Sequence, residues 1–167
     1  VEAAAGLPPC DRVRFAREDA ERDQLRPELV PQADGRGGGI LEVEVRGIEH
    51  CQRAVDEPAG VLITPNHSFH YDSYVLIEIS HWVRRPFHFL TAWQVFEMGR
   101  PFDRWMLQRH GCYSINREAN DVQAFKTSVE ILQKSDHPLV IFPEGDIYHH
   151  NDRVSPFRDG AAAIALS

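Results

Sequence analysis

The chain has 167 residues, 43% hydrophobic and 26% charged, with a formal net charge of −7. That is the composition of a soluble globular protein long enough to bury a core in one domain. The acidic balance argues against a dedicated nucleic-acid binder, because counterion release needs clustered Lys and Arg, and it gives no general attraction to anionic lipid. No apolar run approaches the roughly eighteen residues of a membrane span, and the N-terminus lacks the apolar core of a signal peptide.

Cys10, Cys51 and Cys112 are too few and too widely spaced for a disulfide framework or a paired-thiolate zinc site. The expected setting is a reducing cytoplasm, and any membrane contact is expected to be peripheral, at the inner face.

Residues 1–39 read as a charged, flexible leader. Asp11 to Glu28 carries both signs with few large apolar residues, Phe15 and Leu25 among them, as in a solvated helix. The glycine-rich stretch Gly35 to Gly39 reads as a joint. The core is expected over residues 40–167. The chain starts at Val1 rather than Met and stops at Ser167 inside the apolar run Ala161 to Leu166. The expectation is therefore a piece of a longer protein, its core incomplete at the C-terminus.

From Ile40 onward strands and helices alternate. Leu41 to Val45 switches strictly between apolar and acidic residues and predicts a strand with one wet face, at a sheet edge. Val61 to Ile63 predicts a short buried strand. Val75, Leu76, Ile79 and Trp82 recur at helical spacing and predict a helix over about residues 73–83. Phe87 to Thr91 reads as a third strand, whereas the mixed stretch Thr91 to Phe96 has no clear period.

Pro101 to His110 predicts a second helix, with Pro suited to its first position and Gly111 able to close it. Cys112 to Ile115 predicts a strand. Asn120 is placed to cap a third helix carrying Val122, Phe125, Val129 and Leu132 on one face. Leu139 to Phe142 is continuously apolar, as in a strand buried on both sides. Such alternation implies an α/β fold with a mostly parallel sheet covered by helices.

The stretch Leu62 to Asp72, read LITPNHSFHYD, concentrates the chemistry. Two residues five apart on one helix point about 140° away from each other, so His67 and Asp72 meet only if His67 lies on the loop and Asp72 in the first helical turn. A carboxylate there sits at the favourable end of the helix dipole. It can fix the imidazole tautomer and stabilise the imidazolium formed when His67 takes a proton. The plainer reading makes Asp72 the N-cap and His67 an exposed loop residue.

Three further segments fall where strands end: Gly111 to Arg117 (GCYSINR), Phe142 to Asp146 (FPEGD) and Val154 to Gly160 (VSPFRDG). In order and spacing, these and the Asn66-His67 stretch resemble the four blocks of the glycerolipid acyltransferase family, which includes the bacterial 1-acylglycerol-3-phosphate acyltransferases. His67 and Asp72, preceded by Asn66, match the first block. Gly111 to Arg117 matches the second, and Phe142, Pro143, Glu144 and Gly145 match the third letter for letter. Pro156, Phe157, Arg158 and Gly160 match the fourth. The resemblance runs from about Leu41 to the C-terminus.

It implies a glycerol-3-phosphate acyltransferase-like core. Its reaction would be transfer of a fatty acyl group from acyl-coenzyme A or acyl-carrier protein to a hydroxyl of a lysophospholipid or acylglycerol phosphate, with no cofactor and no metal. In that pattern His67 and Asp72 are catalytic. Asn66, Arg117, Pro143, Glu144, Gly145 and Pro156 line the substrate, with Arg117 offering a planar fork to an acceptor phosphate. Without the resemblance, Arg117 reads as a surface arginine paired with Glu118, and Glu144-Gly145 as a turn closing a strand.

The chain departs from the family where phosphate-using members continue Thr-Arg after the third block. Asp146 and Ile147 stand there, which removes a cation and adds an anion. Asn116 replaces the usual aspartate before the arginine. Another lipid alcohol or amine therefore stays open as acceptor.

Two rivals differ in class. His67, His70, Asp72, His149, His150 and Asp152 suit a metal-dependent hydrolase in ligand type, although no pair has the helical i, i+4 spacing of a zincin. A non-catalytic lipid-binding relative would keep the fold without turnover.

Overall fold

The computed structural model describes residues 43–98, 101–118, 120–149 and 153–167. The expected leader, the glycine joint and Leu41 lie outside them. The chain divides between Ile48 and Glu49. Ahead of that point, Val43 to Gly47 form no strand, which corrects the expected edge strand over Leu41 to Val45 for the part described. The Arg46 guanidinium instead reaches back to Glu44 at 2.7 Å, a local ion pair on residues without a strand partner in any register.

Four strands among the described residues form one sheet in the order β1-β4-β2-β3, every neighbouring pair parallel. They are β1 (Leu62–Ile63), β2 (His88–Ala92), β3 (Cys112–Ile115) and β4 (Leu139–Val140). The expected strand over Leu139 to Phe142 is thus shorter, though pairing continues one residue further through Ile141 N, which donates to Ile63 O at 3.0 Å. Leu139 and Val140 are fully buried, as a continuous apolar run at the sheet centre requires.

Helix α1 (Ile48–Asp56) precedes the sheet and had no counterpart in the sequence reading. Its charged and polar residues outnumber the apolar ones and only Val55 is buried, but Ile48, Cys51 and Val55 fall at i, i+3 and i+7, a helical spacing that could have found it. Helix α2 (Asp72–Trp82) links β1 to β2, and α3 (Trp93–Met98) turns the unassigned stretch after β2 into a short helix. Helix α4 (Pro101–Arg109) follows and feeds β3. Among the described residues no helix is long and apolar enough to cross a membrane.

Helix α5 (Val122–Lys134) connects β3 to β4, and α6 (Gly160–Ala165) closes the described chain. Ala161 and Ile164 of α6 pack with Leu139 and Ile141 against Leu62, Leu90, Tyr113 and Leu132. Inside this packing the Tyr113 hydroxyl meets Ser128 Oγ at 2.8 Å. Burial pushes the phenol up to about 12, the Ser128 contact offsetting only part of the shift.

The cap of α5 is Asp121, not Asn120. Its Oδ1 accepts from Ala124 N at 2.9 Å and its Oδ2 from Asn116 N, also at 2.9 Å. A carboxylate with two oxygens serves both donors, whereas the neighbouring amide has one acceptor oxygen. The two bonds, that to Ala124 first, hold the carboxyl below its ordinary 3.8. A group with a depressed folded value stabilises the fold above its unfolded value, and this contribution disappears as pH falls through the folded one. Asp121→Ala is therefore expected to lower stability by about 1 kcal/mol near neutral pH, the usual cost of losing an N-cap. Urea titrations should show the gap to wild type closing below pH 4, and a gap independent of pH would remove the carboxylate from this role.

Candidate active site

Strands β1 and β4 are neighbours although 75 residues of chain separate Ile63 from Leu139. The loops that leave their carboxyl ends therefore emerge side by side, at the end of a parallel sheet where chemistry is usually placed. The loop after β1 carries Asn66 and His67 and ends at Asp72, the first residue of α2. The turn after β4 carries Phe142 to Asp146.

His67 Nδ1 lies 3.0 Å from Asp72 Oδ2, the two side chains 17% and 25% exposed. A carboxylate only accepts, so Nδ1 carries a proton, and in the neutral ring that tautomer leaves the lone pair on Nε2. The same Asp72 Oδ2 accepts from Phe69 N at 2.9 Å. Asp72 makes no cap bond to the helix, whose N-cap residue Tyr71 has no side-chain cap bond either. Its carboxylate is committed to the loop and the imidazole rather than to the helix end.

Two groups from the β4 turn hold His67 from the other side. The imidazole stacks on Phe142 with ring centroids 4.0 Å apart and planes at 22°. The stack fixes the plane of the imidazole against the turn. Glu144, only 4% exposed, accepts the His67 backbone N–H on Oε1 at 2.8 Å. The sequence pattern set Glu144 on the acceptor side; the structure aims one of its oxygens at the main chain that carries the imidazole.

Gly145 has φ +74° and its N donates to Phe142 O at 3.1 Å, so the turn is closed by a residue in the left-handed region. Pro143 is buried and its carbonyl accepts from Arg158 N at 2.8 Å, tying the turn to the segment that leads into α6. Arg117, just beyond β3, donates from Nη1 to the Gly145 carbonyl and lies 3.7 Å from Asp146 Oδ1. It turns to these partners instead of the Glu118 carboxylate. Asn116 Oδ1 accepts from Glu118 N at 3.0 Å, a bond that the family's aspartate would make equally well.

His67, Asp72, Glu144, Gly145 and Arg117 are thus connected by direct contacts. Asn66 is exposed on the loop just before His67, and Pro156 is exposed on the segment before α6; neither is drawn into those contacts. The sequence reading did not single out Phe142 or Arg158 as site residues, although both lie inside the quoted blocks.

Aromatic rings gather beside the dyad. Phe69 meets Tyr71 at 5.3 Å, and the His70 and His149 rings meet edge to face at 5.4 Å. Among the described residues no group of three or more His, Cys, Asp or Glu side chains is placed to hold a metal ion. Of the six residues of the hydrolase reading, His150 and Asp152 lie outside the described residues.

Residues 42–167 match the family model described as Acyltransferase. A stretch of 61 residues is 38% identical to the 1-acyl-sn-glycerol-3-phosphate acyltransferase of Streptococcus pneumoniae (strain ATCC BAA-255 / R6), covering 36% of this chain. The match spans 21% of that relative's length, about a fifth. No solved structure matches.

Proposed function

The chain belongs to the glycerolipid acyltransferase family, and from that premise we propose that it moves a fatty acyl group from acyl-coenzyme A or acyl-carrier protein to a hydroxyl of a lysophospholipid or acylglycerol phosphate. The setting would be phospholipid synthesis or remodelling at the inner face of a membrane. The observation that carries this reading is the His67–Asp72 contact at 3.0 Å, made on a loop braced by the Glu144 carboxylate.

An alcohol is a weak nucleophile at neutral pH, so its proton must leave as its oxygen attacks the thioester carbonyl. Nε2 of His67 takes that proton, and Asp72 balances the imidazolium through Nδ1–H. The C–O bond forms, the tetrahedral intermediate collapses and the C–S bond breaks. His67 then returns the proton to the departing sulfur. Ester and free thiol are the products, and the proton balance closes without a cofactor.

The test is to offer the full chain one acyl thioester with a panel of lysolipids, following thiol release and identifying products by mass spectrometry. Absence of thiol release with every acceptor would overturn the reading in favour of a lipid-binding relative. Arg117→Ala is expected to raise KM for the acceptor more than KM for the thioester, as lost ground-state binding does. An unchanged acceptor KM would take Arg117 out of the site.

A further inference from the structure

Ten large apolar side chains among the described residues are exposed, and their placement is one-sided. Single exposed apolar residues are ordinary on a soluble surface, whereas their segregation to one end is not. Tyr74, Phe102, Trp105 and Phe125 stand in the first two turns of α2, α4 and α5. Val154 and Phe157, 63% and 58% exposed, stand on the segment between the β4 turn and α6. Helices α2 and α5 start after the carboxyl ends of β1 and β3, and α4 starts beyond α3, which leaves β2 directly. Of the ten, only Leu166 is placed otherwise. The segments that enter the four strands expose Glu57, Arg84, Arg85 and Asp136 and none of the ten. The apolar end is the end at which His67 and Asp72 meet.

The sharpest projection is on α4. Phe102 and Trp105, 65% and 51% exposed, stack with ring centroids 5.8 Å apart, and the Arg109 guanidinium lies 5.5 Å from the Trp105 ring centre. At about 100° per residue these three positions fall within about 60° of one another, so they form one ridge.

We infer that this end of the protein docks on a phospholipid layer. Phe102 and Trp105 on α4, with Val154 and Phe157 before α6, sink into its interface and bring the candidate active site to an acceptor held there. The inference rests on the acyltransferase reading given above and adds to it the surface that meets the lipid.

The projections come from separate elements and not from one continuous stripe. A fluid layer takes up such side chains one by one, whereas a rigid partner or a second copy has to match them all in one shape. An aromatic pair with a guanidinium alongside suits a lipid interface, where rings enter the acyl boundary and the charge stays among headgroup phosphates. The formal charge of −7 adds no attraction to anionic lipid, so burial of apolar surface drives the docking.

The full chain should cosediment with phosphatidylcholine vesicles, and should still do so in high salt, which weakens a charge-driven contact. Phe102→Gln combined with Trp105→Gln should lower the partition coefficient by about tenfold or more, the scale of withdrawing two aromatic rings from an apolar contact. Val154→Ser with Phe157→Ser should act in the same direction. Trp82 and Trp93 are half-buried whereas Trp105 is exposed. Vesicles should therefore shift tryptophan emission to the blue in wild type but not in Trp105→Phe, which keeps an apolar ring and should still sediment. Thermal melts show that each variant keeps the fold.

Thiol release is then followed with a lysolipid carried in vesicles and with a short-chain lysolipid dissolved as monomer. The α4 double variant should lose about tenfold in rate with the first, in line with its lost partition, and match wild type with the second. Wild type that stays in the supernatant, or an α4 double variant that sediments with vesicles as wild type does, overturns the inference and leaves the acyltransferase reading standing. So does a wild-type dimer in sedimentation velocity that the same variant makes monomeric, since the ridge then meets a second copy. Vesicle binding without thiol release from any acceptor would instead sink the acyltransferase reading and leave the docking surface of a lipid-binding relative.

Discussion

Replacing His67 with alanine is expected to lower kcat for thiol release by about 10²–10⁴-fold, the contribution of a positioned general base. The loss should appear with every lipid acceptor, because deprotonating the hydroxyl is common to all of them. Alanine keeps the backbone N–H that Glu144 accepts at 2.8 Å and leaves the Asp72 bond to Phe69 N at 2.9 Å in place. The loop therefore retains two of its anchors. What goes is the imidazole, its stack on Phe142 and its bond to Asp72. Circular dichroism should match wild type while a thiol-reactive dye reports almost no release. Wild-type turnover in this variant would falsify the proposed mechanism.

How much of this was legible beforehand differs from element to element. Helix α2 begins one residue from its expected start: Val75, Leu76, Ile79 and Trp82 fall at helical spacing, no Gly or Pro interrupts residues 66–85, and Pro65 breaks the strand before it. Strand β3 has the expected bounds, Cys112 to Ile115, since Gly111 at φ +77° ends the preceding helix sharply. The strand over Leu41 to Val45 had alternation in its favour, but a strand also needs a partner, and alternation says nothing about that.

The site was legible as residue types and spacing. What the sequence did not carry was the strand order. With β4 lying between β1 and β2, the first and third blocks become neighbours, and only that adjacency gives Phe142 and Glu144 their contacts with His67. The same holds for Arg158, whose side chain fills the space left by a glycine thirteen residues earlier. Local periodicity encodes elements, whereas these contacts are set by which elements lie side by side.

Glu144→Ala is the second substitution expected to have a large effect, and its signature differs from that of an acceptor ligand. The Glu144 carboxylate is 4% exposed and holds the His67 main-chain N–H. Truncation leaves that donor without its partner in a part-buried place and removes a hydrogen bond to a charged group, worth about 1.5–3 kcal/mol. Part of this should appear as a lower melting temperature.

The larger consequence is positional. His67 stays bonded to Asp72, but the main chain that carries it can shift, and a displacement of about 1 Å at a reacting group can cost about 10²-fold in rate. The expectation is a kcat lowered by about that factor with little change in the acceptor KM. Glu144→Gln keeps an oxygen able to accept the same N–H and should recover much of the rate. If Glu144→Ala raised the acceptor KM and left kcat alone, Glu144 would be a substrate contact and the brace on His67 would lose its function. If Gln were no better than Ala, the negative charge itself, rather than the accepted hydrogen bond, would be what the site requires.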